Sequence, residues 1–210
     1  VSASPNHQAA RVSPIESRFN VAAFGVLGYE LDLQLLSPAE EKAVAAQVAW
    51  YKAHRGLLQY GRFLRLANPC FDAKCEWMVV SDNQNEAILG EFLHLMVPNT
   101  AKPPLRFAGL CEKQEYRVTA RSQVIDIRTF GSLINQILPV KVNTSGHLMH
   151  AAADFYMMPC ESEQYTAGGD LLMHAGIRQK QAFTGTGYND DVRLMPDFSS
   201  RMYYVAAIKP

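Results

Sequence analysis

The chain has 210 residues, 48% of them hydrophobic and 19% charged, and its 20 Lys plus Arg balance 20 Asp plus Glu. Such a balance gives no global field for nucleic acid or an anionic membrane, and no basic run with interleaved aromatics is present. The longest apolar run, Val21 to Leu27, is interrupted by Gly25 and falls far short of the roughly 20 residues that span a bilayer.

The chain opens Val1-Ser2-Ala3-Ser4, a small and apolar alternation that breaks at Pro5. Pro5 and the polar residues after it read as a loop leaving a strand. No charged segment followed by an apolar one stands at this end, so no signal peptide is read there. Arg18 to Leu27 is nearly continuous in apolar and small residues, which predicts a strand buried on both faces. Gly28-Tyr29-Glu30-Leu31-Asp32 then leads to Leu36-Ser37-Pro38-Ala39-Glu40. Ser37 suits an N-cap, Pro38 the first helical position, and Glu40 the third position of a capping box. A helix is predicted from there to about Leu58, with Val44, Val48 and Tyr51 on its buried stripe and Gly61 ending it. Residues 1–61 therefore read as α/β, too small a parallel sheet to stand alone, so this half looks cut from a larger unit.

Beyond Arg62 the pattern changes. Short strand-like pieces recur at Arg62–Leu66, Glu76–Val80, Ala87–Met96, Leu105–Phe107, Glu115–Thr119, Val124–Ile127, Ala153–Met158 and Arg201–Ile208. Turn formers such as Ser81-Asp82-Asn83 and Pro103-Pro104 separate them. Residues 62–210 are thus expected to form an antiparallel β-sandwich.

Few residues announce chemistry. There is no Gly-x-Ser-x-Gly elbow, phosphate loop or His-Glu-x-x-His helix. Gly25-x-x-Gly28 and Gly185-x-Gly187 are too short for a dinucleotide fingerprint. Cys70 and Cys75 are close, but neither has a histidine at zinc-finger spacing; with Cys111 and Cys160 they read as thiols in a reducing cytosol, and no metal or other cofactor is expected. His7 sits in a loop that would follow a parallel strand, where α/β barrels carry their sites, so it is the one candidate for substrate binding. Glu16, Glu30 and Asp32 are read as structural, with Glu16 paired to Arg18 and Glu30/Asp32 near a helix N-terminus. His147 and His150 read as surface or packing residues. Tyr165–Gly176 is glycine-rich and reads as a tight crossing between strands or as a sugar-binding turn. Phe183 and Tyr188 stand in a long loop and, with Trp77, offer aromatic faces for sugar or for docking.

The segments Val1-Ser2-Ala3-Ser4-Pro5-Asn6-His7-Gln8 and Ser17–Asp32 resemble the end of the catalytic barrel of glycoside hydrolase family 36, the α-galactosidase (melibiase) family. The resemblance continues through Gln59–Leu66, Glu76–Ser81, Gly169–Met173, Gly185–Asn189 and Asp197–Tyr203. It implies a C-terminal portion: residues 1–61 as the last units of a (β/α)8 barrel, 62–210 as the antiparallel C-terminal domain. It further implies a cytoplasmic, bacterial hydrolase of terminal α-galactosides of the melibiose or raffinose type, acting by double displacement. Two aspartates about 5 Å apart perform that reaction. The family's aspartate motifs do not occur here, so both would lie upstream of Val1 and no catalytic residue is assigned in this chain. The implied partner is a galactoside, with no nucleic acid and no membrane; homo-oligomerisation stays open. The alternative reading is a carbohydrate-binding β-sandwich module.

Overall fold

In residues 14–27 the buried positions are Ile15, Glu16 and Ser17, then Phe19 and Asn20, then Ala23, so burial returns every three to four residues. That is the period of a helix, and Ile15–Ala23 is helix α1. The strand expected over Arg18–Leu27 is therefore wrong. Its apolar run masked a helix whose Val21 faces outward, 47% exposed. The structure is a computed structural model, and it describes residues 1–72, 74–97, 103–133, 135, 141, 143, 146–182 and 192–208.

Helix α2 (Pro38–Tyr60) starts as its sequence specifies. The Ser37 hydroxyl accepts the Glu40 amide at 3.3 Å, and the Glu40 carboxylate accepts the Ser37 amide at 3.0 Å. Its buried positions are Ala39, Ala43, Gln47, Tyr51 and Leu58. Tyr51 is buried as expected, whereas Val44 and Val48 are only half-buried, each beside a buried neighbour, Ala43 and Gln47. Gly61 ends the helix, its amide reaching the Leu57 carbonyl at 2.8 Å. A Cβ there would sit 2.5 Å from Val79 Cγ1, so the helix closes directly onto the sheet.

Among the described residues ten strands follow: β1 (Arg62–Ala67), β2 (Lys74–Val80), β3 (Glu86–Leu93), β4 (Glu115–Ala120), β5 (Val124–Ile125), β6 (Met158–Pro159), β7 (Gln164–Gly168), β8 (Gln181–Ala182), β9 (Val192–Arg193) and β10 (Ser200–Ala207). Six form one antiparallel sheet in the order β1-β2-β3-β10-β4-β7. The last strand is thus inserted at the centre, between β3 and β4. Among the described residues the other strands make two two-stranded pairs. The sandwich expected for 62–210 is here one large sheet covered mainly by other elements. Ala153–Met158 was expected as a strand; its first half, Ala153 to Phe155, belongs to helix α3 (His147–Phe155), and only Met158 is in a strand. There the 4-residue spacing of buried Met149 and Ala153 decides the form.

Each face of the sheet has its own cover. One face sets Met78, Val80, Leu89, Tyr116, Val118, Tyr203 and Val205 against Leu105, Phe107, Leu110, Leu172 and Ile177. Helix α4 (Gly169–His174) supplies Leu172, and Leu105 bridges Ile177. The other face sets Ile88 and Met202 against Phe19, Ala23, Tyr51 and Leu58 of α1 and α2. Gly90 makes room there, because a Cβ would lie 2.7 Å from the Phe24 ring. A smaller cluster gathers Ile125, Ile127, Phe130, Met149, Ala153 and Leu194.

Candidate functional site

Ser2 forms a parallel bridge with Glu30, and the Glu30 amide donates to the Val1 carbonyl at 2.9 Å. Each of these two stretches is followed by a loop and then a helix: residues 3–14 and α1, residues 31–37 and α2. A parallel bridge whose two stretches are joined by a helix has the pattern of a βαβ connection, and in α/β folds ligands bind at the carboxyl ends of the strands. The loop after Ser2 lies at that end and carries His7.

The loop is held by its own atoms. Asn6 Oδ1 accepts the amides of Gln8 at 3.0 Å and Ala9 at 3.1 Å. The Asn6 carbonyl accepts the Ala10 amide at 2.7 Å, and the Asn6 amide donates to Arg11 at 2.9 Å. These bonds turn His7 outward, and its ring is exposed. At the base, Arg18 donates through Nη1 to the Ser2 carbonyl and through Nε to the Ser13 carbonyl at 3.3 Å. On its flank, the Arg11 guanidinium lies 5.1 Å from the centre of the Phe198 ring.

Beside the loop opens a cleft of about 500 Å³. Its apolar walls include Val21, Trp77, Phe92 and Phe198, and its polar rim includes Arg11, Arg18, Ser13 and His94. No Asp or Glu lines it among the described residues. Trp77 is half-buried, with ring centres of Phe24 and Phe92 at 5.7 and 4.9 Å. It is thus part of an aromatic cluster with one side toward the cleft, and not a free-standing platform.

The acidic candidates have structural partners. Glu16 does not pair with Arg18. It is buried against Arg121, whose Nη2 also donates to Asn20 Oδ1 at 2.9 Å. Glu16 further accepts from Gln47 at 3.0 Å and from the Val124 amide at 3.2 Å. The Arg121 guanidinium stacks 4.8 Å over Phe19. Tyr29 donates to Gln47 at 2.8 Å, and burial first, then the nearby Glu16 charge, pushes its phenol up to about 12. Asp32 accepts the Gln34 amide at 2.9 Å, and the Glu30 side chain is exposed. Sequence reasoning missed the Arg121–Glu16 pair because 105 residues separate its members.

Further carboxylates are buried in a second polar cluster. Glu91 accepts from Arg193 and Gln179, each at 2.9 Å, and Glu163 accepts from Tyr203 at 2.7 Å. Burial drives the Tyr203 phenol well above its ordinary value. Glu161 holds Arg201 at 2.6 and 2.9 Å. Neighbouring Cys160 is pushed up to about 11, chiefly by burial, which keeps it a thiol. Carboxylates engaged in this way tie distant parts of the chain together.

His147 and His150 are both exposed on α3. The four cysteines are free, and no group of three or more metal-ligating side chains occurs among the described residues. Within Tyr165–Gly176 the crossing reading fits. A Cβ on Gly169 would lie 2.1 Å from the Cys111 carbonyl, and Gly176 has φ +79 against Leu105. Phe183, Tyr188 and Gly185-x-Gly187 lie outside the described residues. No helix among the described residues is long and apolar enough to cross a membrane.

Comparison with known proteins covers both halves. The family described as "Glycosyl hydrolase family 36 C-terminal domain" matches residues 74–205, and the one described as "Melibiase" matches 1–61. Alpha-galactosidase AgaA of Geobacillus stearothermophilus is 41% identical over 118 residues, which are 56% of this chain and 16% of the relative. The crystal structure of the α-galactosidase from Lactobacillus brevis superposes over 100% of this chain and 22% of its own, with TM-score 0.68 and 30% identity. An AgaA variant in complex with raffinose superposes over 99% of this chain and 21% of its own, with TM-score 0.68 and 29% identity. The chain thus spans about a sixth to a fifth of the proteins it matches.

Proposed function

We propose, because the chain belongs to glycosyl hydrolase family 36, that it is the C-terminal part of a retaining α-galactosidase. The substrates are terminal α-galactosides of the raffinose type, in keeping with the raffinose complex of a similar protein. The observation that carries the reading is the family match on both halves, seated on a βαβ-like pairing of Ser2 with Glu30. Residues 1–61 are then the last units of a (β/α)8 barrel and residues 62–210 its antiparallel C-terminal domain. The free cysteines suit a cytoplasmic protein, and the similarity to Geobacillus and Lactobacillus proteins suits a bacterial one.

In double displacement one carboxylate attacks the anomeric carbon while another protonates the departing oxygen and later activates water. Those two aspartates belong to the part of the enzyme outside this chain, and every buried carboxylate described above already has a cationic, amide or hydroxyl partner. This chain contributes position. The loop after Ser2 stands at the mouth of the barrel, and His7 can exchange hydrogen bonds with a sugar hydroxyl there.

Turnover of a chromogenic α-galactoside tests the reading. The isolated chain should release no galactose, and a family-length enzyme carrying it should. There, His7→Ala should raise KM several-fold with a smaller effect on kcat. Release of galactose by the pure 210-residue chain would overturn it.

A further inference from the structure

We propose that Arg18 is a positioning residue that locks the His7 loop to the body of the protein, and so sets where His7 meets substrate; this rests on the substrate-facing reading of that loop.

The loop's internal bonds all lie between Ser4 and Ser13: the Asn6 turn, the Asn6–Arg11 pair, and the Ser13 amide on Ser4 Oγ at 3.4 Å. They make it a small closed unit. They do not fix its orientation, because such a unit swings on its two stems. Arg18 reaches both stems. Its Nη1 holds the carbonyl of Ser2, the last paired residue before the loop, and its Nε holds the carbonyl of Ser13, just before α1. One rigid planar group thus joins the outgoing and returning strands of chain. A lysine ammonium, a point charge on a flexible stem, does not reproduce that fork. The side chain is itself anchored, since Arg18 lies on α1, whose opposite face packs on the sheet. Burial pulls the Arg18 pKa down and the Glu40 charge opposes that, as expected of a guanidinium half-withdrawn from water.

Hydrogen-exchange mass spectrometry on the 210-residue chain tests the lock. In Arg18→Met, the peptide covering residues 5–12 should exchange at least about ten-fold faster, since losing even one charge-assisted bond shifts an equilibrium by about that factor. The α2 and β10 peptides should keep their wild-type rates. Arg18→Lys should fall between the two, and added ethylguanidinium should slow the loop again in Arg18→Ala while methylammonium should not. Unchanged loop exchange in Arg18→Met overturns the proposal, as does acceleration spread evenly over α2 and β10.

A second arm uses AgaA with its corresponding C-terminal part replaced by this chain. Arg18→Met should raise the KM for raffinose there, and the rise should vanish in a His7→Ala background. Faster loop exchange with an unchanged KM would leave the lock in place and sink the substrate-facing reading. Equal KM effects with and without His7 would show that Arg18 does not act through the loop, and would overturn the positioning role.

Discussion

The two faces of the six-stranded sheet place their buried charges differently: one sets the Glu91–Arg193 pair and the Tyr203–Glu163 bond beside a large apolar core, while the other uses the Glu16–Arg121 pair to join the sheet to the helices. The face under Leu105, Phe107 and Leu172 is apolar where those residues meet Leu89, Tyr203 and Val205. The face under α1 and α2 mixes an apolar patch, Ile88 and Met202 on Phe19 and Ala23, with a buried polar hub of Glu16, Asn20, Gln47, Arg121, Gln123 and Ser200. An apolar interface tolerates small slips, because dispersion and burial are not directional. A buried carboxylate with three donors from three elements does not, because any slip leaves a charge unpaired. Residues 1–61 are therefore held on the sheet in one fixed orientation by Arg121, and the loop that carries His7 inherits that orientation through α1.

The contrast can be broken most severely at the hub. Arg121→Met should cost about 3–5 kcal/mol in urea unfolding, because it strands the Glu16 charge in the interior. Adding Glu16→Met should return much of that loss. If the double variant is no more stable than the single one, the hub is not held by charge pairing. In the apolar core of the other face, Leu89→Ala should cost about 3 kcal/mol through lost burial and the cavity left behind. It should add to the Arg121→Met loss if the two faces act independently.

A smaller effect is expected at the start of α2. Ser37→Ala should cost about 1 kcal/mol by removing the cap on Glu40, read as a shift in the urea midpoint. The smallest is a pH dependence. His54 lies between the rings of Trp50 and Tyr204, with centres at 4.5 and 4.6 Å, and burial lowers its pKa despite the Glu86 charge that raises it. The unfolded chain then binds the proton more readily than the folded one. Stability from this group is full above the unfolded value of about 6.5 and declines as pH falls from there toward the folded pKa. His54→Phe should flatten the slope of stability against pH between about 5 and 7; an unchanged slope would show that His54 does not titrate differently on folding.

Local signals were legible wherever one residue type had one local job. The Ser37–Glu40 box, Pro38, the stop at Gly61 and the strands around Trp77, Ile88, Val118 and Tyr203 could all be read in place, since capping and alternation act over a few residues. The stretch Arg18–Leu27 was misread because its apolar content fits strand or helix equally. The choice fell to the sheet surface that accepts Phe19 and Ala23. Ala153–Met158 failed for the same reason.

The order of residues by itself carried the resemblance to the family and the absence from this chain of the family's aspartate motifs, because both are properties of sequence. Only the folded chain decided that β10 enters the middle of the sheet, that Glu16 answers Arg121 rather than Arg18, and that Arg18 is left to hold Ser2 and Ser13. Buried charges choose partners by geometry in a medium of low polarity, and residues 105 positions apart become neighbours only once the chain has folded.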